Sequence, residues 1–385
     1  MFFTAALYLS LCLCLLGIIL KVRNWLTIRI GEDAAAFSGC ERVRAASKAL
    51  AASLSGPGLP ILFKAFIRDV ILQLPLLKDN RLRWLMHMAV YWGFILLLLM
   101  HALDGLLTRN LFPEYASTLN PFIFLRNLFG ALVVLGMVVA VYRRIRLKGY
   151  RLPSGVRDMV AILLIALIMV SGFALEALKI SSPSGFGQMV EEYASLKGEE
   201  ELQPLKQYWR ARFGVVFPEV QETAPRDMIE KGRDVHEENC AACHSRPAWA
   251  FVSYSLSRII KPAVRSLERS RALNGLWIIH FLSCFIGLAL LPFTKFFHIF
   301  SSPLHLMIRA VRKGDVSYPA NAITLRAMAL DACTHCGTCS RHCSVAPVFQ
   351  RLMNRNILPS EKLLSIKVLA KKSVLSPDTM HAVQE

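Results

Sequence analysis

The chain has 385 residues, 54% of them hydrophobic, with a mean hydropathy of +0.43 and 19% charged residues. That is too apolar for an ordinary water-soluble protein and points to membrane spans. A formal net charge of +18 could suit a partner such as nucleic acid, but its distribution excludes that reading. Residues 21–85 hold 11 basic and 5 acidic groups, 142–158 hold 6 and 1, and 295–385 hold 12 and 5, whereas 176–272 hold 14 of each. Basic loops face the cytoplasm, so the charge labels topology. Arg258 to Arg271 is a local exception, basic on the side read as external.

Taken in order, Phe2–Leu20 reads as the first span. It lacks the positive start of a cleaved leader and is followed by Lys21, Arg23 and Arg29, so an uncleaved anchor with a periplasmic N-terminus is expected. Residues 31–60 read as a cytoplasmic linker with a short helix. Leu62–Lys78 sets Phe63, Phe66, Val70 and Ile71 against Lys64 and Arg68, the pattern of an amphipathic helix on the inner membrane surface. Spans follow at about Trp84–Leu107, Phe122–Val141 and Met159–Leu178. A polar loop, 181–272, then leads to a fifth span from Leu273 to about Phe300. The expected architecture is an all-α membrane protein. Residues 1–180 supply four spans with cytoplasmic loops 21–83 and 142–158, 181–272 a periplasmic loop, 273–300 the fifth span, and 301–385 a cytoplasmic helical tail. The C-terminus is therefore expected in the cytoplasm and the chain in the inner membrane.

Histidines inside spans are costly and usually functional. His87 and His101 lie fourteen residues apart, close to four helical turns, so they share a face about 21 Å apart. His280 and His298 lie eighteen apart, five turns in phase and about 27 Å apart. The second and fifth spans run antiparallel, which sets His101 against His280 near the outer surface and His87 against His298 near the inner one. Imidazole ligates haem iron, and bundles build such sites from facing helices. The expectation is two bis-histidine haems b. Pro292 is expected to bend the fifth helix and absorb the difference in spacing, and His305 is the rival inner ligand. Arg126 could neutralise a haem propionate or snorkel to the interface. Asp104 and Glu176, near outer span ends, are the candidate quinone-site carboxylates.

Two cysteine motifs flank the fifth span. Cys240-Ala-Ala-Cys243-His244 has the C-x-x-C-H form of a covalent haem c site, two thioether anchors and an imidazole ligand. The preceding run, Lys231 to Cys240, resembles the first helix of a small cytochrome c, in which the residue at the position of His236 packs. A sixth iron ligand would come from Met189, Met228, His236 or a partner, or be absent. Cys333, Cys336, Cys339 and Cys343 have the C-x2-C-x2-C-x3-C spacing of an iron–sulfur site. They could hold one [4Fe–4S] cluster alone, with Cys40, or with a partner subunit. Of the ten cysteines, Cys12, Cys14 and Cys284 lie in spans and read as small packed hydrophobes.

Arg83-Trp84-Leu-Met-His87 followed by Gly93-Phe94, with the His280/His298 pair, resembles the dihaem cytochrome b (gamma) subunit of respiratory nitrate reductase. It resembles still more the membrane subunits that accompany heterodisulfide-reductase-like iron–sulfur proteins in sulfite-reduction-associated and related transmembrane complexes. The resemblance covers roughly 1–180 and 270–345. It implies menaquinone as the pool, a cytoplasmic heterodisulfide-reductase-like iron–sulfur partner, and electron transfer among that partner, the haems b and a periplasmic haem c or cytochrome c. The CCG segments of heterodisulfide-reductase catalytic subunits are absent from the sequence. A hydrogenase- or formate-dehydrogenase-type cytochrome b subunit and a non-catalytic anchor or redox sensor are the alternatives.

Overall fold

A computed structural model of the chain describes residues 1–28, 30, 36–146, 156–219, 225–312, 319–352 and 354–370. It is 82% helix, with no strand among the described residues. The middle of the basic link, 147–155, and the end of the tail, 371–385, lie outside the described residues.

Helix α1 (Phe2–Thr27) is apolar throughout. Helix α2 (Gly39–Ser55) starts at a reciprocal cap: the Ser38 hydroxyl accepts from Glu41 N and the Glu41 carboxylate accepts from Ser38 N, satisfying two otherwise orphaned donors. The stretch read as a linker is therefore largely a capped 17-residue helix. The amphipathic stretch is not one helix either. It divides into α3 (Gly58–Ala65), a π-turn segment (Phe66–Ile71) and α4 (Leu74–Asp79). Gln73, at φ 50°, breaks the run before Pro75 restarts it, since proline is tolerated only in a helix's first turn.

Helix α5 (Arg81–Met100) ends one residue before His101, and a π segment (Asp104–Thr108) and the short α6 (Arg109–Leu111) follow. Helices α7 (Phe122–Arg146) and α8 (Val156–Ser181) are long and apolar. The polar loop is itself helical: α9 (Pro183–Tyr193), α10 (Glu199–Arg212), α11 (Arg226–Asn239), α12 (Phe251–Ile260) and α13 (Val264–Arg269). Glu199–Glu201 open α10, and Arg210 and Arg212 close it, complementing the helix dipole at both ends.

The fifth span departs from expectation. Helix α14 (Ala272–Leu290) stops before Pro292, two 3-10 turns follow across an extended Thr294, and α15 begins at His298 and runs to Val311. Pro292 lacks the N–H that would continue the ladder, so it ends the helix instead of bending it. The helical phase that tied His280 to His298 is lost there. Helices α16 (Pro319–Ala332), α17 (Thr338–Arg341), α18 (Ala346–Leu352) and α19 (Pro359–Ala370) complete the tail. Among the described residues, five helices are long and apolar enough to cross a membrane, at Phe2–Thr27, Arg81–Met100, Phe122–Arg146, Asp158–Ser181 and Ala272–Phe293. The α2–α3 pair, bent by 91°, would make a sixth only if counted as one span.

The contacts fall into two units. The first comprises Met1–Trp84, Tyr142–Ala161 and Phe285–Glu385. Its core joins Trp25, Phe297, Ala327 and Met328. Beside it Arg42, 1% exposed, donates to Trp25 O, to Ile28 O at 2.7 Å and to Thr324 Oγ1 at 3.1 Å. A cation on the carbonyl end of α1 complements its dipole and fastens α1 to α2 and α16. The second unit comprises Leu85–Val141 and Ile162–Cys284. In it α5 and α7 meet backbone to side chain at Gly136, where an added Cβ would lie 2.6 Å from Val90, the small-residue contact that lets apolar helices approach. A separate core of Phe186, Leu205, Tyr208, Trp209, Phe213, Val215, Phe217 and Cys240 fills the extramembrane helices.

Candidate functional site

The second unit brings together one of the two histidine pairs. The rings of His101 and His280 lie 6.1 Å apart between centroids, with planes inclined by 47°. A metal–imidazole bond is about 2 Å, so two such bonds in line plus the half-width of each ring come to about 6 Å; the separation leaves room for one metal between the rings. The Ser171 hydroxyl donates to Leu167 O at 2.6 Å and so accepts from His280 Nδ1 at 3.1 Å. That bond fixes the proton on Nδ1 and leaves Nε2 as the ligating lone pair, the usual outer-shell arrangement of a metal-bound histidine. Gly172 clears the flank of the ring, since a Cβ there would stand 3.0 Å from His280 Cε1.

Arg126 is held by two hydrogen bonds. Its Nη2 donates to His101 Nδ1 at 3.0 Å and its Nη1 to Ser117 O at 3.1 Å, while its Nε is buried without a partner. A guanidinium can only donate, so here it holds the Nδ1 lone pair of His101, and ligation through Nε2 requires Arg126 to turn away. Ser171 and Gly172 escaped the sequence reading because they stand 109 and 108 residues from His280, and nothing local ties them to it.

His87 lies in α5, whereas His298 and His305 lie in α15, beyond the break at Pro292. His87 stacks on Tyr91 with centroids 6.4 Å apart and planes 17° apart. His298 donates from Nδ1 to Lys295 O at 2.6 Å, whereas His305 Nδ1 is buried without a partner. Both candidate quinone-site carboxylates are hydrogen-bonded. Asp104 binds Gly105 N at 2.8 Å and Arg109 at 3.2 Å. Glu176 accepts from Asn127 Nδ2 at 2.8 Å and Ser253 Oγ at 2.5 Å, while Asn127 Oδ1 takes Ser253 N at 3.2 Å. This network ties the start of α12 to α7 and α8.

The C-x-x-C-H loop is built on the crossing of α10 and α11. At Gly232 an added Cβ would lie 2.1 Å from Pro204 O, so only glycine permits this approach. The crossing sets His236, 6% exposed, among Tyr208, Trp209 and Phe213, with ring separations of 5.2, 5.7 and 4.9 Å. It packs there as expected of its position, its Nδ1 buried without a partner. Trp209 also meets His244 edge-on at 5.5 Å. After α11 ends, Cys240 N bonds to His236 O, and Cys243 N and His244 N both turn back to Cys240 O. Thr118 Oγ1 holds Cys243 O at 2.6 Å, and Thr118 O takes Ser245 N at 3.0 Å. Burial pushes the Cys240 thiol up to about 11, with Cys243 adding to it. Burial, with His236 adding to it, pushes His244 down to about 4. His244 is thus a neutral imidazole at neutral pH, the form that ligates. Of the open sixth-ligand candidates, Met189 packs on the core that contains Cys240.

The cysteine tail belongs to the first unit. Among the described residues, no group of three or more His, Cys, Asp or Glu side chains is drawn together as a cage for a metal ion. The loop is nevertheless held in shape. Gly337 at φ 74° and His335 at φ 56° turn the chain into α17. Asp79, at the end of α4, gathers Arg341, His342 Nε2 at 2.7 Å and Arg83 at 3.3 Å, and Arg83 also reaches Thr338 Oγ1. Burial raises Asp79, but the bonds from His342 and Arg341 outweigh it and hold the carboxyl below its usual range. At Cys336 burial is likewise outweighed by the Thr338 hydroxyl and the Arg83 charge, which bring the thiol down to about 7. A thiol so poised is readily a thiolate ligand.

Comparison with known proteins adds independent support. The chain is 29% identical over 147 residues to one subunit of the dihydromethanophenazine:CoB–CoM heterodisulfide reductase of Methanosarcina thermophila, covering 34% of this chain and 52% of that one. The corresponding protein of Methanosarcina acetivorans is 30% identical over 141 residues, with the same coverage. An EtfAB:quinone oxidoreductase of Syntrophomonas wolfei is 23% identical over 279 residues, 67% of this chain and 31% of that one. The chain therefore spans about half the length of the heterodisulfide reductase subunits it matches. No family profile matches it, and neither does any solved structure. With five helices of membrane length among the described residues, these likenesses fit a multi-pass membrane protein.

Proposed function

We propose that this chain is the electron-transfer subunit of a membrane-bound quinone/quinol oxidoreductase. In this reading it links the menaquinone pool, two haems b, a periplasmic haem c and a cytoplasmic [4Fe–4S] centre to a heterodisulfide-reductase-like iron–sulfur partner. The observation that carries it is the His101–His280 pair at 6.1 Å, supported by the likeness to proteins named for heterodisulfide reduction and quinone oxidoreduction. Bound haem and cluster would supply the one-electron carriers, which no side chain in the pair can be. The chain's own residues supply the rest. Ser171 keeps the proton of His280 on Nδ1, and Arg126 sets a positive charge beside His101, where a propionate could take it up. The backbone carbonyl of Lys295 orients His298 in the way Ser171 orients His280, which favours His298 over His305 as the inner ligand. The finer topology, with the N-terminus periplasmic and the tail cytoplasmic, rests on five spans and on basic flanks such as Lys21 and Arg23.

The test is the pyridine-haemochrome spectrum of the purified protein. Both b- and c-type bands are expected, with His280→Leu losing part of the b band and none of the c band. A spectrum without b-type haem, or a His280→Leu variant with the full b band, would refute the proposal.

A further inference from the structure

The first unit contains a cavity of about 260 Å³ between α1, α16 and α19, just below the roughly 300–1,000 Å³ common for small-molecule sites. Leu20 and Phe293 supply apolar wall, and Lys21, Asn24, Asp331 and Lys367 supply polar groups. It exists because Gly17 lets the broken end of the fifth span press onto α1: a Cβ there would stand 2.3 Å from Pro292 Cγ and 2.7 Å from Phe293 Cζ. The polar side is fixed. Asp331 takes Lys21 Nζ at 3.0 Å, Trp25 Nε1 at 2.8 Å and Lys367 Nζ at 3.5 Å.

We infer that this cavity binds the ring of a quinone. The inference rests on the proposed function and assigns it a site. Three features argue for this ligand class. The cavity sits at the basic end of a membrane-length helix, where a lipid-soluble ring would lie with its tail among the spans. Its polar groups combine ammonium and amide donors with an apolar wall, which suits a flat ring with two carbonyl oxygens. Asp331 draws both ammonium groups, Lys21 and Lys367, to itself, so neither stands as a bare cation for a lipid phosphate. The location is also apt for the chemistry. Asp331 precedes the first cysteine of the motif, Cys333, by two residues, at the end of the helix that leads into it. The outer carboxylates Asp104 and Glu176, tied to Arg109 and to Asn127 and Ser253, are thereby relieved of the quinone role.

The experiment uses the purified full chain in lipid nanodiscs. An azido-substituted naphthoquinone is photo-crosslinked and the labelled peptides are identified by mass spectrometry. Label is expected on peptides spanning 17–28 or 327–331. In parallel, 2-heptyl-4-hydroxyquinoline N-oxide is titrated by its fluorescence quenching. Leu20→Trp, which fills the cavity without touching the Lys21–Asp331 pair, should weaken binding at least tenfold. Leu9→Trp, at an exposed position nearer the start of α1, should leave it unchanged. Label confined to 104–130 or 170–180, or an unaltered affinity in Leu20→Trp, would overturn the assignment. If quinol still reduces the haems in that case, the proposed function stands and only the site is wrong. Label in the cavity of a protein without haem would keep the site and refute the function.

Discussion

Replacing Gly232 by alanine tests the scaffold under the C-x-x-C-H loop. The new Cβ would lie 2.1 Å from Pro204 O, 2.6 Å from Pro204 C and 2.8 Å from Tyr208 Cβ. Two of these three atoms are backbone, so no side-chain rotation relieves the clash and α10 must move off α11. Alanine gains about 1 kcal/mol over glycine in a helix interior, whereas overpacking costs about 1–3 kcal/mol when neighbours can shift. Here the clash is with main chain and the separation also loosens His236, Trp209 and Phe213, so a net loss of about 2 kcal/mol is expected. For the second unit, about 180 residues, that is a melting shift of about 4–8 °C. Pulsed proteolysis of the purified protein along a temperature ramp, with cleavage between 199 and 239 read by mass spectrometry, measures it. Gly187→Ala is the control, because a Cβ there meets nothing within 4 Å. Equal cleavage onset in the Gly232→Ala and Gly187→Ala variants would refute the claim that the helix crossing holds the loop.

Asp79→Asn should release the cysteine segment, since one carboxylate holds Arg83, Arg341 and His342; bonds to a charged group contribute about 1.5–3 kcal/mol each. Iron content per protein and thiol-labelling rates at Cys336 and Cys339 report it, and unchanged values would sink the clamp. Because Asp79 is held below its usual range, the unfolded state binds the extra proton as acidity rises. The clamp's contribution is therefore full above about pH 4 and lost as pH falls through the lowered value; a wild-type labelling rate that is flat down to pH 3 would contradict this. Ser171→Ala removes the hydroxyl acceptor beside His280 Nδ1, leaving the Ile168 backbone as the ring's other partner, and should shift the midpoint potential of one haem b, leaving the other in place; identical redox titrations would refute the orienting role. His298→Leu should lower the b-haem content of the purified protein, while His305→Leu should not. The reverse outcome would exchange their roles.

How much could be foreseen differs by element. Span positions were legible because apolar runs of membrane length have few other readings: all five expected spans correspond to helices. The fifth was misjudged at Pro292, where a proline can either kink a helix or end it and only the neighbouring structure chooses. Gly17 opposite Pro292 and Phe293 shows what the chain does with that break. The π segment and the left-handed Gln73 were equally beyond an amphipathic pattern, which describes side chains and not the hydrogen-bond register.

The sequence by itself determined the membrane class, the number of apolar helices, the two cysteine motifs and the candidate histidines, because each is a matter of local composition or spacing. The tertiary structure alone brought His101 to His280, set Ser171 and Arg126 against their Nδ1 atoms, crossed α10 over Gly232, and gathered Arg341 and His342 on Asp79. These are meetings of residues tens to hundreds of positions apart. Helix packing decides them through close contacts and hydrogen-bond partners, and those leave no trace in local periodicity.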